Sequence, residues 1–253
     1  MANAVTKCRP NSTEETRTKE EESEQNEKET VTLYVVRIYP PCRAVWLYLL
    51  QHNIPHKIVD VDFSEKEGTT LEFINQYPHR EVPLLVDGDI VVFEGQAILR
   101  YLACEYTNYN GYGPDKVTRY KCESLISWAC SELHRIVGFR YTYPQFLDRY
   151  RLPSDAANEA LVESGIRELS RLLEVLENRY LEKRKYLCCS ELTVADSYVA
   201  TILIQLKWTT FKFRMWPKVE EWLARVRMQD FWDEVHKAHK EFVKELETSA
   251  AFD

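Results

Sequence analysis

The residues that could do chemistry gather at two helix beginnings. Tyr39-Pro40-Pro41-Cys42 closes one apolar run and opens a helical one, so a phenol and a thiol stand one turn apart at a helix N-terminus. Free N–H groups and the positive end of the helix dipole at such a place stabilise anions and lower thiol pKa values. Glu94-Gly95-Gln96 occupies a second junction of the same kind, between a β-branched run and a helical one. Glu94 either meets a cationic group there or merely favours the helix dipole. Further along, His134, Arg135, Tyr141 and Trp208 offer polar and aromatic groups that could line an apolar pocket, or serve as ordinary core residues. Asp196, three residues after Thr193, has capping-box spacing with Asp in place of Glu or Gln and reads as structural. The arginines of Arg140–Arg151 could steer an anionic ligand, but a solvated face is the reading favoured for them.

These groups need elements to hold them. Val31–Arg37 is a buried-strand run, Cys42–Leu50 a helix with Pro41 near its first turn, and His56–Val61 a second strand. A weaker helix carries Leu71, Phe73 and Ile74. Val82–Val86 and Ile90–Phe93 flank Asp87-Gly88 as a hairpin, with Pro83 where a strand tolerates it. Ala97, Ile98, Tyr101 and Leu102 then form one helix face. The order is β-α-β-α-β-β-α over residues 31–106. Residues 107–115, with Gly111, Gly113 and Pro114, read as a linker. Residues 116–253 are helical: Lys116–Arg135, Asp155–Leu181, a nearly all-apolar helix within Leu192–Ile204, Pro217–Val226 and Phe231–Leu246. Val137–Leu152, aromatic and basic, reads as partly irregular. Residues 1–30 are polar and charged and read as a disordered acidic tail.

Composition excludes several classes. A net charge of −7 argues against a general nucleic-acid binder. The apolar runs are too short for a bilayer, and no secretory or mitochondrial leader is evident, which points to the cytoplasm. Seven cysteines, with no C-x-x-C and no zinc spacing, read as reduced thiols, most of them packed, with no metal expected.

The chain resembles the cytosolic glutathione transferases, theta class most of all. The resemblance rests on Leu33 and Tyr34, Pro41 through Val45, Ile54 and Pro55, Val59 through Asp62, and Val82 and Pro83. It continues through Asp87-Gly88-Asp89, Glu94, Ala97 and Ile98, and Tyr101 and Leu102, then Trp128, Leu192 through Asp196, and Trp222. It covers roughly residues 31–246 and implies a thioredoxin-like domain followed by an all-α domain, assembled as a homodimer. It implies glutathione as co-substrate. Its thiolate is stabilised by a hydroxyl at the first helix, its cysteinyl part lies on Val82 and a cis Pro83, and its γ-glutamyl end on Glu94 and the next residue. A small hydrophobic electrophile then binds beside the sulfur, with conjugation or peroxide reduction as the reaction. His134, Tyr141 and Trp208 are candidates for that electrophile pocket.

The chain departs from this pattern in four places. Theta's activating serine falls on Tyr39, which either donates to the thiolate or fills the site as an aromatic. The serine after Glu94 is Gly95. A basic residue before Val82 is Glu81, near the glycyl carboxylate of glutathione. A histidine after the second strand falls near Gly68. Each lost charge-assisted hydrogen bond costs roughly 1–3 kcal/mol. Cys42 takes the second position of a thioredoxin-like motif whose first cysteine is absent, and packing is the reading favoured for it. The resemblance thus leaves two functions: a theta-like transferase, or a transferase-fold protein with an eroded glutathione site that binds an apolar ligand or a protein.

Overall fold

The computed structural model describes residues 30–63, 68–77 and 79–249, so the tail expected over residues 1–30 lies almost wholly outside the described residues. The first half runs β1 (Val31–Val35), α1 (Pro40–Gln51), β2 (His56–Asp60), α2 (Gly68–Gln76), β3 (Leu84–Asp87), β4 (Ile90–Phe93) and α3 (Gly95–Glu105). The sheet order is β2-β1-β3-β4. β1 pairs in parallel with β2, Leu33 facing Ile58, and antiparallel with β3, Leu33 facing Leu85. A parallel pair needs a crossover, and α1 provides it. The β3–β4 hairpin turns at Gly88, whose φ of 54° suits a residue without Cβ.

Alternation sets the two faces of the sheet. Val31, Leu33 and Val35 are buried toward α1 and α3. Tyr34, on the opposite face, packs on Phe73 at 5.2 Å and Tyr77 at 5.5 Å, with Val61 and Leu84 completing a smaller core. Truncating a fully buried leucine such as Leu33 costs about 2–5 kcal/mol. α1 is the central element, with every residue from Pro40 to Leu49 buried. It starts two residues ahead of the expected Cys42, because prolines in a first turn forfeit no helical hydrogen bond.

The second half is helical and less regular than expected. α4 (Lys116–Trp128), capped by Asp115, runs on through wide π-type turns over Ala129–Leu133 and Arg135–Thr142. A single α turn, Tyr143–Phe146, and a 3₁₀ turn, Asp148–Tyr150, follow. α5 (Asp155–Val175) also ends in a π turn, Leu176–Tyr180. α6 (Val194–Leu203) is buried throughout and continues as a 3₁₀ turn over Ile204–Trp208. α7 (Pro217–Val226) and α8 (Lys237–Ser249) close the chain, with one turn at Trp232–Val235 between them. The helix expected over Phe231–Leu246 is therefore broken, at a left-handed Phe231 and again at His236.

Asp196 is structural. Its carboxylate accepts from the Thr193 N–H (3.0 Å), the Thr193 hydroxyl (2.8 Å), the Leu187 N–H (2.8 Å) and the Trp222 indole (2.8 Å). One buried side chain thereby starts α6, holds the loop before it and anchors α7.

Candidate active site

A cleft of about 320 Å³ opens between the two halves. Its floor comes from the sheet half: Tyr39 and Pro41 at the start of α1, Arg80 through Pro83 ahead of β3, and Glu94 and Gly95 at the start of α3. Its wall comes from the helical half: Phe139, Tyr143, Leu147, Arg149 and Tyr150, with Gln205 and Trp208 beyond α6.

Tyr39 is the N-cap residue of α1, extended in backbone (φ −82°, ψ 125°) and making no side-chain cap. Burial, and then the nearby Tyr143, Cys42, Tyr150 and Glu94, push its phenol well above its usual pKa. The group is a neutral hydrogen-bond donor at physiological pH. Cys42, one turn on, is fully buried, and burial pushes its thiol up to about 12, so it is packed and protonated.

The Val82–Pro83 bond is cis, as the resemblance implies. Glu94 has φ 68° and ψ 121°, a conformation non-glycine residues rarely adopt and one that concentrates at functional sites. As N-cap of α3 it makes no side-chain cap. Its carboxyl instead shares a hydrogen bond with Glu81. Burial, then Glu81's charge and that hydrogen bond, hold its pKa above the usual carboxylate range. Glu81 is thus turned toward Glu94. Gly95 fits a tight space, since a Cβ there would lie 3.1 Å from Pro41 Cβ and 3.4 Å from the Tyr198 ring.

A hydrogen-bonded chain stands behind the wall. The Arg43 Nη2 donates to Gln205 Oε1 at 2.6 Å and to the Thr201 carbonyl at 3.1 Å. With its oxygen so engaged, the Gln205 amide turns its nitrogen to Tyr143 Oη, 3.3 Å away. Tyr143 Oη also lies 3.1 Å from His134 Nε2. Arg43 is fully buried, its Nε and Nη1 have no partner among the described groups, and burial lowers its pKa to about 9. Burial, and then Arg43, depress His134 to about 4, so its imidazole is neutral.

The cleft brings together Tyr39, Val82, Pro83, Glu94, Gly95 and Trp208 from the sequence candidates. His134 sits one layer back, its ring 5.3 Å from Tyr39. Tyr141 is not in the lining and packs toward Phe211 at 6.2 Å. Sequence reasoning missed Arg80, Phe139, Tyr143, Tyr150 and Gln205, and noted Arg149 only among the arginines that could steer an anionic ligand. Composition alone marked the stretch that carries four of them, because its π-type turns break helical spacing. Among the described residues, no group of three or more His, Cys, Asp or Glu side chains could hold a metal ion.

Residues 33–110 match the family described as "Glutathione S-transferase, N-terminal domain", and residues 136–230 match "Glutathione S-transferase, C-terminal domain". A relative named dichloromethane dehalogenase, from Methylophilus leisingeri, is 30% identical over 193 residues, which are 74% of this chain and 71% of that one. The chain belongs to the glutathione S-transferase family. Within it the likeness is to the theta class. Mouse glutathione S-transferase theta-3 is 29% identical over 218 residues, 84% of this chain and 88% of the relative. The solved apo form of human glutathione-S-transferase T1-1 superposes with a TM-score of 0.70 at 26% identity, covering 82% of this chain and 88% of that one. The cis bond at Pro83 and the cleft between sheet and helices are features of this transferase chain.

Proposed function

We propose that the protein is a theta-like glutathione transferase that conjugates glutathione to small hydrophobic electrophiles, or uses it to reduce peroxides. The observation that carries this reading is the convergence on one cleft of a neutral phenol at a helix N-terminus, the Val82–Pro83 corner, Glu94 and an aromatic wall. In this reading Val82 holds the cysteinyl backbone and Glu94 takes the γ-glutamyl ammonium. Tyr39 donates to the sulfur, favouring thiolate over thiol. The thiolate then forms a bond to an electrophilic atom held on the wall, and the leaving group departs with the bonding pair. Proximity and thiolate stabilisation supply the acceleration.

The same reading takes residues 31–106 and 116–253 as the two domains and the chain as a cytoplasmic homodimer active in detoxification. Ile90, Val91 and Phe93 support the dimer, because they leave apolar surface exposed along edge strand β4. No described helix is long and apolar enough to cross a membrane.

Calorimetric titration with glutathione tests the reading. Micromolar to low-millimolar binding supports it, followed by turnover of a model electrophile. The pairing of Glu81 with Glu94 favours a second reading, a non-catalytic fold with an eroded glutathione site. No binding to the native chain, but binding restored in Glu81→Lys, would establish that one.

A further inference from the structure

Away from the cleft, two thiols meet inside the helical half. Cys122 lies on α4 and Cys188 in the loop ahead of α6; both are buried and both are free. The Cys188 thiol hydrogen-bonds the Cys122 sulfur, and the Thr193 hydroxyl lies against both sulfurs. The Ala195 N–H is directed at Cys122 from the first turn of α6, where helical N–H groups lack an intrahelical acceptor. The bond from Cys188 above all, with Thr193 and Ala195, holds Cys122 below the usual thiol range against burial and the Asp196 carboxylate. The same bond, then burial, pushes Cys188 well above that range. Cys122 is the nucleophile of the two and Cys188 keeps its proton. Asp196 fixes the loop that carries Cys188, accepting from the Leu187 N–H at 2.8 Å.

The pair has an approach from solvent. A cavity of about 120 Å³ lies between the linker and the start of α6, with Tyr109, Asn110, Gly111, Leu192 and Thr193 in its lining. It shares no residue with the cleft. The Val194 N–H donates to the Gly111 carbonyl at 2.8 Å and ties the linker to the helix start. Thr193 belongs to both places, lining the cavity on one side and touching the sulfurs on the other. A water molecule takes about 30 Å³ of liquid volume, so a space of this size admits a few heavy atoms and excludes a bulky molecule.

We propose that Cys122 and Cys188 form a reversible redox site whose oxidant is a small hydroperoxide entering through this cavity. The Cys122 thiolate attacks one peroxide oxygen, the O–O bond breaks, and the other oxygen takes a proton and leaves as water or an alcohol. Cys122 is left as a sulfenic acid. The Cys188 sulfur then attacks it, the S–S bond forms, and the hydroxyl departs with the Cys188 proton as water. The two thiols lose two electrons and the peroxide gains them. Two equivalents of a small thiol reverse the reaction by exchange. Disulfides in reducing compartments are usually transient and serve sensing or catalysis. This one locks α4 to the loop ahead of α6, and it stands whether or not glutathione binds in the cleft.

Peptide mapping of the full chain after exposure to hydrogen peroxide tests it, with remaining thiols alkylated under denaturing conditions. The expected product joins the Cys122 and Cys188 peptides with loss of two hydrogens, and dithiothreitol returns both thiols. Cumene hydroperoxide, too bulky for the cavity, forms the link about tenfold more slowly. In Cys188→Ala the link is lost and Cys122 stops at a sulfenic acid that dimedone traps. In Cys189→Ala the link forms as in the native chain. No link under conditions that oxidise the exposed Cys104, equal rates with the two peroxides, a link that survives Cys188→Ala or vanishes in Cys189→Ala, or no dimedone adduct on Cys122 would each overturn the assignment.

Discussion

Floor and wall of the cleft are built by different means. The floor hangs on junctions between regular elements, where α1 and α3 begin and β3 is about to begin, so position in the fold dictates what each residue faces. The wall hangs on turns that depart from the α-helix, between Ala129 and Tyr150, and on the 3₁₀ turn after α6. Backbone geometry defines the half proposed to hold glutathione. Side-chain packing defines the half proposed to hold the variable substrate. Specificity can therefore drift on one side while the other stays fixed.

Acid should separate the two halves most sharply. His134, His236 and His239 are buried in the helical half, and burial, followed by Arg43, depresses all three, His134 to about 4 and His239 to about 2. The unfolded chain takes up protons near pH 6.5 while the folded chain refuses them. Stability is therefore full above that pH and falls below it, by about 1.4 kcal/mol per pH unit for each imidazole. Hydrogen exchange from pH 7 to 4.5 is expected to show the helical half loosening first. Uniform loosening would erase the contrast.

Removing Asp196 strikes the wall from beneath. Asp196→Ala leaves the Leu187 and Thr193 N–H groups and the Trp222 indole without their acceptor, and should cost about 3 kcal/mol or more in denaturant unfolding. Tyr39→Phe tests the floor. Loss of one donor to a thiolate lowers kcat/KM for a model electrophile about 10- to 100-fold, with glutathione affinity unchanged. An unchanged rate would return Tyr39 to the role of filler.

The acid pair gives a finer test. Glu94 keeps its proton to higher pH than an ordinary carboxyl, and the ammonium of glutathione requires the carboxylate. Binding should tighten as pH rises through that raised value, and Glu81→Gln should move the midpoint downward. Smallest is Gly95→Ser. Its Cβ meets Pro41 at 3.1 Å, so the neighbour must yield slightly, while the regained hydroxyl tightens glutathione binding by about threefold.

Much of the floor was legible in the sequence because tight turns and helix starts are local events with their own residue chemistry. Pro83 at a strand start and Glu94 at a helix start each announce themselves within a few positions, as does the Thr193–Asp196 pair in the other half. Tyr143 and Gln205 gave no such sign. Their roles depend on Arg43, more than ninety residues from either, and on a helix whose period is not 3.6. His134 and Tyr141 show the same limit. Residue type alone made them pocket candidates, and across the wide turns of Ala129–Thr142 the structure sets one behind the wall and the other against Phe211. Glu81 was legible as a charge, but its turn toward Glu94 was not, since nothing local specifies a side chain's partner across a loop.

The wide turns ahead of Tyr143 have a consequence for how this wall can change. Each extra residue accommodated in a helix advances everything downstream by about 100° around the axis. The stretch Ala129–Thr142 therefore acts as a phase setting for the aromatic ring series that follows, and Gly138 marks the point where the ring of Tyr143 folds back against it. Deleting one residue ahead of Phe139 would rotate Phe139 and Tyr143 together, presenting a different face without altering either. In such a scaffold, insertion and deletion are instruments of substrate choice as direct as substitution.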